Sequence, residues 1–131
     1  MKLTIYTDGA SRGNPGQASY GFVIFEGSKK IHEEGKYLGI KTNNFAEYTA
    51  VVRALEYVKS KHKGAEINFL MDSKLVCEQL SGRYKIKSPN LIPLVREIKE
   101  LSNEMKITYK HIPRSKNFLA DMMANLALDS L

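Results

Sequence analysis

Polar and apolar residues alternate with a period of two through the first third of the chain. Leu3, Ile5 and Thr7 mark one face of residues 2–7, and residues 18–25 (ASYGFVIF) are rich in β-branched and aromatic side chains. Residues 29–40 form a weaker third run after the turn EGSKK, so short connections predict an antiparallel meander of three strands. The period then changes to 3.6. Glu47, Ala50, Val51, Ala54, Leu55 and Val58 fall on one stripe while Arg53, Lys59 and Lys61 fall elsewhere, which predicts a helix of about four turns. Residues 67–71 (INFLM) read as a fourth strand and 73–80 (SKLVCEQL) as a short helix. Leu91, Leu94, Val95, Ile98 and Leu101 mark a third helix beginning around Ser88, Pro89 and Asn90. KITYKHI (106–112) is a fifth strand, and 117–131 is a last helix rich in good helix formers. A meander followed by strands alternating with helices predicts an α/β fold, a mixed sheet covered by helices.

Between the first two strands lies TDGASRGNPG, residues 7–16, whose three glycines and Pro15 read as a loop. A chain of 131 residues with 43% hydrophobic content is expected to form one domain, 1–131, with a real core. No run of about 18 apolar residues occurs, and the N-terminus enters strand-like alternation at once, so a soluble, unprocessed, cytoplasmic protein with no membrane partner is expected. The single cysteine, Cys77, sits in helical LVCEQL as a small core residue and fits a reducing compartment. Twenty Lys and Arg against fourteen Asp and Glu give a net charge of +6. That balance favours polyanionic partners, but the cations are scattered, so any basic surface must be assembled by folding.

Four acidic residues stand out. Asp8 ends the first strand and Asp72 the fourth; if a helix crosses over after the meander, these strands are parallel and both aspartates lie at one sheet edge. Pattern leaves open whether the fourth strand pairs with the first or the third. Glu47 occupies the apolar stripe of its helix. Each has a structural explanation too: Glu47 stands at capping-box spacing from Asn44, and Asp72 precedes a helix it could cap. Asp121 shares a polar stripe with Asn125 and Asp129 that could face solvent. Converging carboxylates repel one another unless a cation neutralises them, and oxygen ligands suit Mg²⁺ or Mn²⁺. His32, His62 and His111 lack zinc-ligand spacing, with His32 and His62 read as surface residues. No phosphate-binding or dinucleotide fingerprint appears, so no nucleotide cofactor is expected.

The blocks TDGASRGNPG, TNNFAEYTAV, MDSKLVCEQL and HIPRSKNFLAD, in that order and each with one acidic residue, resemble the type 1 ribonucleases H. The resemblance implies a five-stranded mixed sheet of order 3-2-1-4-5 with helices on both faces, which sets Asp8 beside Asp72. It implies that Asp8, Glu47, Asp72 and Asp121 are catalytic and hold two Mg²⁺ ions, with Mn²⁺ as substitute, about 4 Å apart on general two-metal grounds. The implied substrate is an RNA–DNA hybrid whose RNA strand is cut to leave a 5′-phosphate and a 3′-hydroxyl. Gly9 to Asn14, Arg12 among them, would lie along the minor groove, with Asn14 and Thr42 binding a DNA phosphate. Asn43 and Asn44 would reach base edges and sugars, with Ser73 nearby, and contacts to 2′-hydroxyls would discriminate RNA.

Two departures from the family pattern stand out. Many relatives carry a mobile histidine before the last aspartate; here His111 closes a strand, and Arg114 is taken as the auxiliary residue with His111 as second candidate. The segment RYKIKSPNLIP is short and lacks a Trp-containing basic protrusion, which implies weaker binding or greater dependence on scattered lysines. A monomer is expected, with no hybrid-binding domain ahead of Met1. Two competing readings keep the fold: a non-catalytic hybrid-binding module, and a nuclease directed at DNA. All four acidic positions are present, which disfavours the first; comparing hybrid, duplex DNA and duplex RNA as substrates separates the second.

Overall fold

Alternation in the N-terminal third becomes three long antiparallel strands, β1 (Lys2–Gly13), β2 (Gly16–Glu26) and β3 (Lys29–Lys41), in a computed structural model that describes residues 1–131. Then follow α1 (Asn43–Lys61), β4 (Glu66–Met71), α2 (Lys74–Leu80), α3 (Ile92–Leu101), β5 (Ile107–His111), a single 3₁₀ turn (Arg114–Lys116) and α4 (Phe118–Asp129). The sheet order is β3-β2-β1-β4-β5, with β4 parallel to β1 and β5 parallel to β4. The pairing left open by pattern is therefore β4 with β1.

The alternation decides which helix covers which face. Leu3, Ile5, Tyr20, Phe22 and Ile24 belong to one buried cluster with Val51, Leu55 and Val58 of α1. Burial of each such side chain contributes about 1.5–3 kcal/mol. The opposite face receives α4, whose Ala120, Ala124 and Leu128 are buried. Ser19 on that face donates to the Ala124 carbonyl at 2.6 Å. Cys77 is buried in the same cluster as α1. No helix is long and apolar enough to cross a membrane.

Several local expectations require correction. TDGASRGNPG is mostly strand: β1 stays paired with β2 from Asp8–Gly21 to Gly13–Gly16, and only Asn14 and Pro15 turn the chain. Gly9 permits close approach of α1, whereas Gly13, at φ +113°, and Gly16 bracket the turn itself. The N-cap of α1 is Thr42, whose Oγ1 accepts from the Phe45 amide at 3.2 Å, and Asn44 already lies inside the helix. Ser73, not Asp72, caps α2, accepting from Val76 at 3.2 Å. α3 starts at Ile92, because residues 89–91 form a turn. His32 and His62 are half-buried; the His32 ring stacks 3.8 Å from the Tyr57 centroid, since α1 brings Tyr57 against β3.

Two paired glycines let α4 reach the sheet. Gly21 and Gly35 lie side by side on β2 and β3, and a Cβ on Gly21 would stand 2.5 Å from the Ala120 carbonyl oxygen and 2.6 Å from the Ala124 nitrogen. A Cβ on Gly35 would strike the Met123 carbonyl. Gly21→Ala and Gly35→Ala should each lower unfolding free energy by about 1–3 kcal/mol in denaturant titrations, because helix backbone has nowhere to retreat without lifting from the sheet.

Candidate active site

β1 and β4 pair in parallel from Lys2–Glu66 to Thr7–Met71 and then separate. Asp8 and Asp72 are the next residues after this last pair, so both carboxylates open into the crevice where the strands part. Asp8 lies within β1 rather than at its end, held by its pairing with Gly21. Glu47 comes from the early turns of α1, and Gly9 fixes how closely: a Cβ there would stand 2.5 Å from the Ala46 carbonyl carbon. Asp8, Glu47 and Asp72 each offer an oxygen, and these oxygens lie within 4.8 Å of one another. Asp121, in the first turn of α4, lines the same cleft and acts on the Asp8 carboxyl, but stands outside this group of three.

Asp8 and Glu47 are buried, and none of the four carboxylates forms an ion pair with a basic side chain. Burial, then the charges of Asp72 and Asp121, push the Asp8 carboxyl up from 3.8 to about 8, against a smaller opposing pull from the Gly9 amide. Burial and the charges of Asp8 and Asp72 raise Glu47 well above the ordinary carboxylate range. Only protons or added cations can neutralise such a group. An all-oxygen donor set of clustered carboxylates fits a hard divalent cation of the Mg²⁺ or Mn²⁺ kind.

The cleft around these residues has a volume of about 390 Å³ and is lined by Gly9, Arg12, Asn43, Ser73 and Arg114 as well as the four carboxylates. Asn14 and Thr42 stand together at the start of α1, where the Asn43 amide donates to Asn14 Oδ1 at 3.1 Å. Asn44 is half-buried behind them and does not line the cleft. Arg114 and His111 separate: Arg114 lines the cleft, whereas His111, at the end of β5, does not. A larger groove of about 730 Å³ between α3, β5 and residues 79–86 contains no carboxylate.

Two residues escaped sequence reasoning. Asn125 donates to Asp121 Oδ1 at 3.1 Å from one helical turn away; its i, i+4 spacing was the available signal. Asn117 is fully buried and donates to the Thr7 carbonyl at 2.9 Å, tying the start of α4 to β1 one residue before Asp8, while its Oδ1 has no hydrogen-bond partner. Nothing in the local pattern distinguishes it from an ordinary helix-opening asparagine.

The raised Asp8 carboxyl has a thermodynamic sign. The folded, metal-free protein holds a proton up to about pH 8 that the unfolded chain releases near 3.8. This contribution to stability is fully present in acid and is lost progressively as pH rises between those values. Metal-free melting temperature should therefore fall from pH 5 to pH 8, and Asp8→Asn should raise it at pH 8. Saturating Mg²⁺ or Mn²⁺ should flatten the wild-type dependence while proton release accompanies binding.

A family described as reverse transcriptase-like matches residues 6–127. The bifunctional protein Rv2228c of Mycobacterium tuberculosis is 42% identical over 99% of this chain, which spans only 36% of that relative's length. The crystal structure of RNase H1 from the archaeon Halobacterium salinarum superposes with a TM-score of 0.94 at 38% identity, covering 100% of both chains. LC11-RNase H1 in complex with an RNA/DNA hybrid superposes with a TM-score of 0.93 at 40% identity, covering 98% of this chain and 97% of that one. Similarity of this extent, in sequence and in fold together, leads to one conclusion: the chain belongs to the type 1 ribonuclease H family.

Proposed function

We propose that this protein is an endonuclease that hydrolyses the RNA strand of RNA–DNA hybrids, acting as a single-domain, cytoplasmic monomer. The observation that carries this reading is the meeting of Asp8, Glu47 and Asp72 oxygens within 4.8 Å in a cleft otherwise lined by hydrogen-bonding side chains. The likeness to a relative solved with an RNA/DNA hybrid supports the substrate. Asp8, Glu47, Asp72 and Asp121 would hold two Mg²⁺ ions, with Mn²⁺ as substitute. Bound there, the pair supplies Lewis-acid activation of the attacking water and charge neutralisation at the departing oxygen, leaving 5′-phosphate and 3′-hydroxyl ends.

The chain's own residues bind and orient the substrate. Gly9 offers the hybrid its backbone at the cleft wall, while its missing Cβ makes room for α1 behind it. Asn14 and Thr42, joined at the start of α1, take a DNA phosphate. Asn43 and Ser73 face the cleft beside the carboxylates, where an amide and a hydroxyl can read a 2′-hydroxyl that DNA lacks. Asn44, outside the cleft, is assigned to base edges of the duplex that extends beyond it. Arg114 faces the cleft as a fixed cation for the charge that develops on the phosphate. His111, outside the cleft, takes the lesser auxiliary part.

With Mg²⁺ or Mn²⁺, the purified protein should cut the RNA of a labelled hybrid and leave duplex DNA and duplex RNA intact. Asp72→Asn should reduce turnover on the order of 10³-fold or more while circular dichroism stays unchanged. Equal cleavage of duplex DNA, or full activity in Asp72→Asn, would contradict the assignment. Arg114→Ala should lower kcat roughly ten-fold or more, and His111→Ala should lower it less.

A further inference from the structure

The polar stripe of α4 has three members, and the carboxylate site uses only part of it. Asp121, Asn125 and Asp129 recur every fourth residue, so they share one side of the helix. Asp121 meets Asp8, and Asn125 supports Asp121. Asp129 reaches across to the β1–β2 hairpin and pairs with Arg12 Nη2. Of the residues lining the cleft, Arg12 and Arg114 are the only cations. The only arginine on the hairpin is thus already occupied, by a carboxylate outside the catalytic cluster.

We propose that Asp129 is a positioning residue that holds Arg12 at the cleft mouth in place of a substrate phosphate and yields it to that phosphate when a hybrid docks. The proposal rests on the nuclease reading above. A guanidinium presents the same fork of donors to a carboxylate and to a phosphodiester, so one geometry serves both partners. The side chains are 48% and 60% exposed, so water and salt screen the pair and exchange is easy. A nucleic acid brings a whole field of phosphates and releases condensed counterions when a cation binds, which a lone carboxylate cannot match. The pairing also gives Arg12 a partner other than the unpaired carboxylates of Asp8, Glu47 and Asp72, leaving those free for divalent ions.

Removing the internal partner should strengthen substrate binding through Arg12 and nothing else. Steady-state cleavage of a short RNA–DNA hybrid by wild type, Asp129→Asn, Arg12→Gln and the double variant, at about 50 and 200 mM salt, closes a double-mutant cycle. Asp129→Asn is expected to lower KM roughly two- to five-fold with kcat unchanged, and to steepen the salt dependence of KM. Arg12→Gln is expected to raise KM, and Asp129→Asn added to it should change nothing further. The proposal is overturned if Asp129→Asn leaves KM unchanged or higher, or if it lowers KM equally without Arg12, which would be simple removal of a negative charge. It is also overturned if Arg12→Gln leaves KM unchanged while cleavage persists, an outcome that spares the nuclease reading. Absence of wild-type cleavage overturns that reading and this inference together.

Discussion

Mutual repulsion among buried carboxylates is the constraint around which this molecule is arranged. Asp8 and Glu47 are withdrawn from water and share a cleft with Asp72 and Asp121, and none of the four is ion-paired with a basic side chain. A fold gains nothing in stability from such an arrangement when no cation is present. It persists because the surrounding structure over-determines where each backbone lies. Function is then what offsets the cost: a site that repels itself has a strong thermodynamic reason to collect divalent cations.

The over-determination comes from three independent contacts. Pairing of β1 with β4 up to Thr7, and with β2 through Asp8 and beyond, fixes Asp8 and Asp72 at the point where β1 and β4 diverge. Close approach of α1 over Gly9 fixes Glu47. The glycine pair on β2 and β3 lets α4 lie against the sheet backbone, and Asn117 ties its first turn to Thr7, so Asp121 arrives from the opposite face at the same place. Each contact uses backbone or a short side chain, which leaves little slack. Orientation by rigid elements of this kind is what a preorganised site requires.

Much of this was legible in the residues. The switch from period 2 to period 3.6 gave the elements, and Glu47 on an apolar stripe was a direct sign that a carboxylate faced the sheet. Asp121 was less legible, because a helix with apolar residues on most sides does not reveal which polar residue turns inward. Gly9 of TDGASRGNPG was misread as a loop former, since close packing of a strand against a helix and release from strand geometry demand the same residue, while Gly13 and Gly16 do bracket a turn. The pairing of β4 with β1 came only through family resemblance, as it depends on contacts between residues far apart in sequence. Asn117 and the Arg12–Asp129 pair, at a separation of more than a hundred residues, leave no periodic trace at all.

The central claim is that these carboxylates meet in order to share divalent ions. Diffraction from crystals soaked in Mn²⁺, collected where manganese scatters anomalously, tests it most directly. Anomalous peaks are expected between the Asp8, Glu47, Asp72 and Asp121 oxygens and nowhere else at comparable height. A cleft without manganese at saturating concentration, its carboxylates turned apart or protonated at neutral pH, would contradict it.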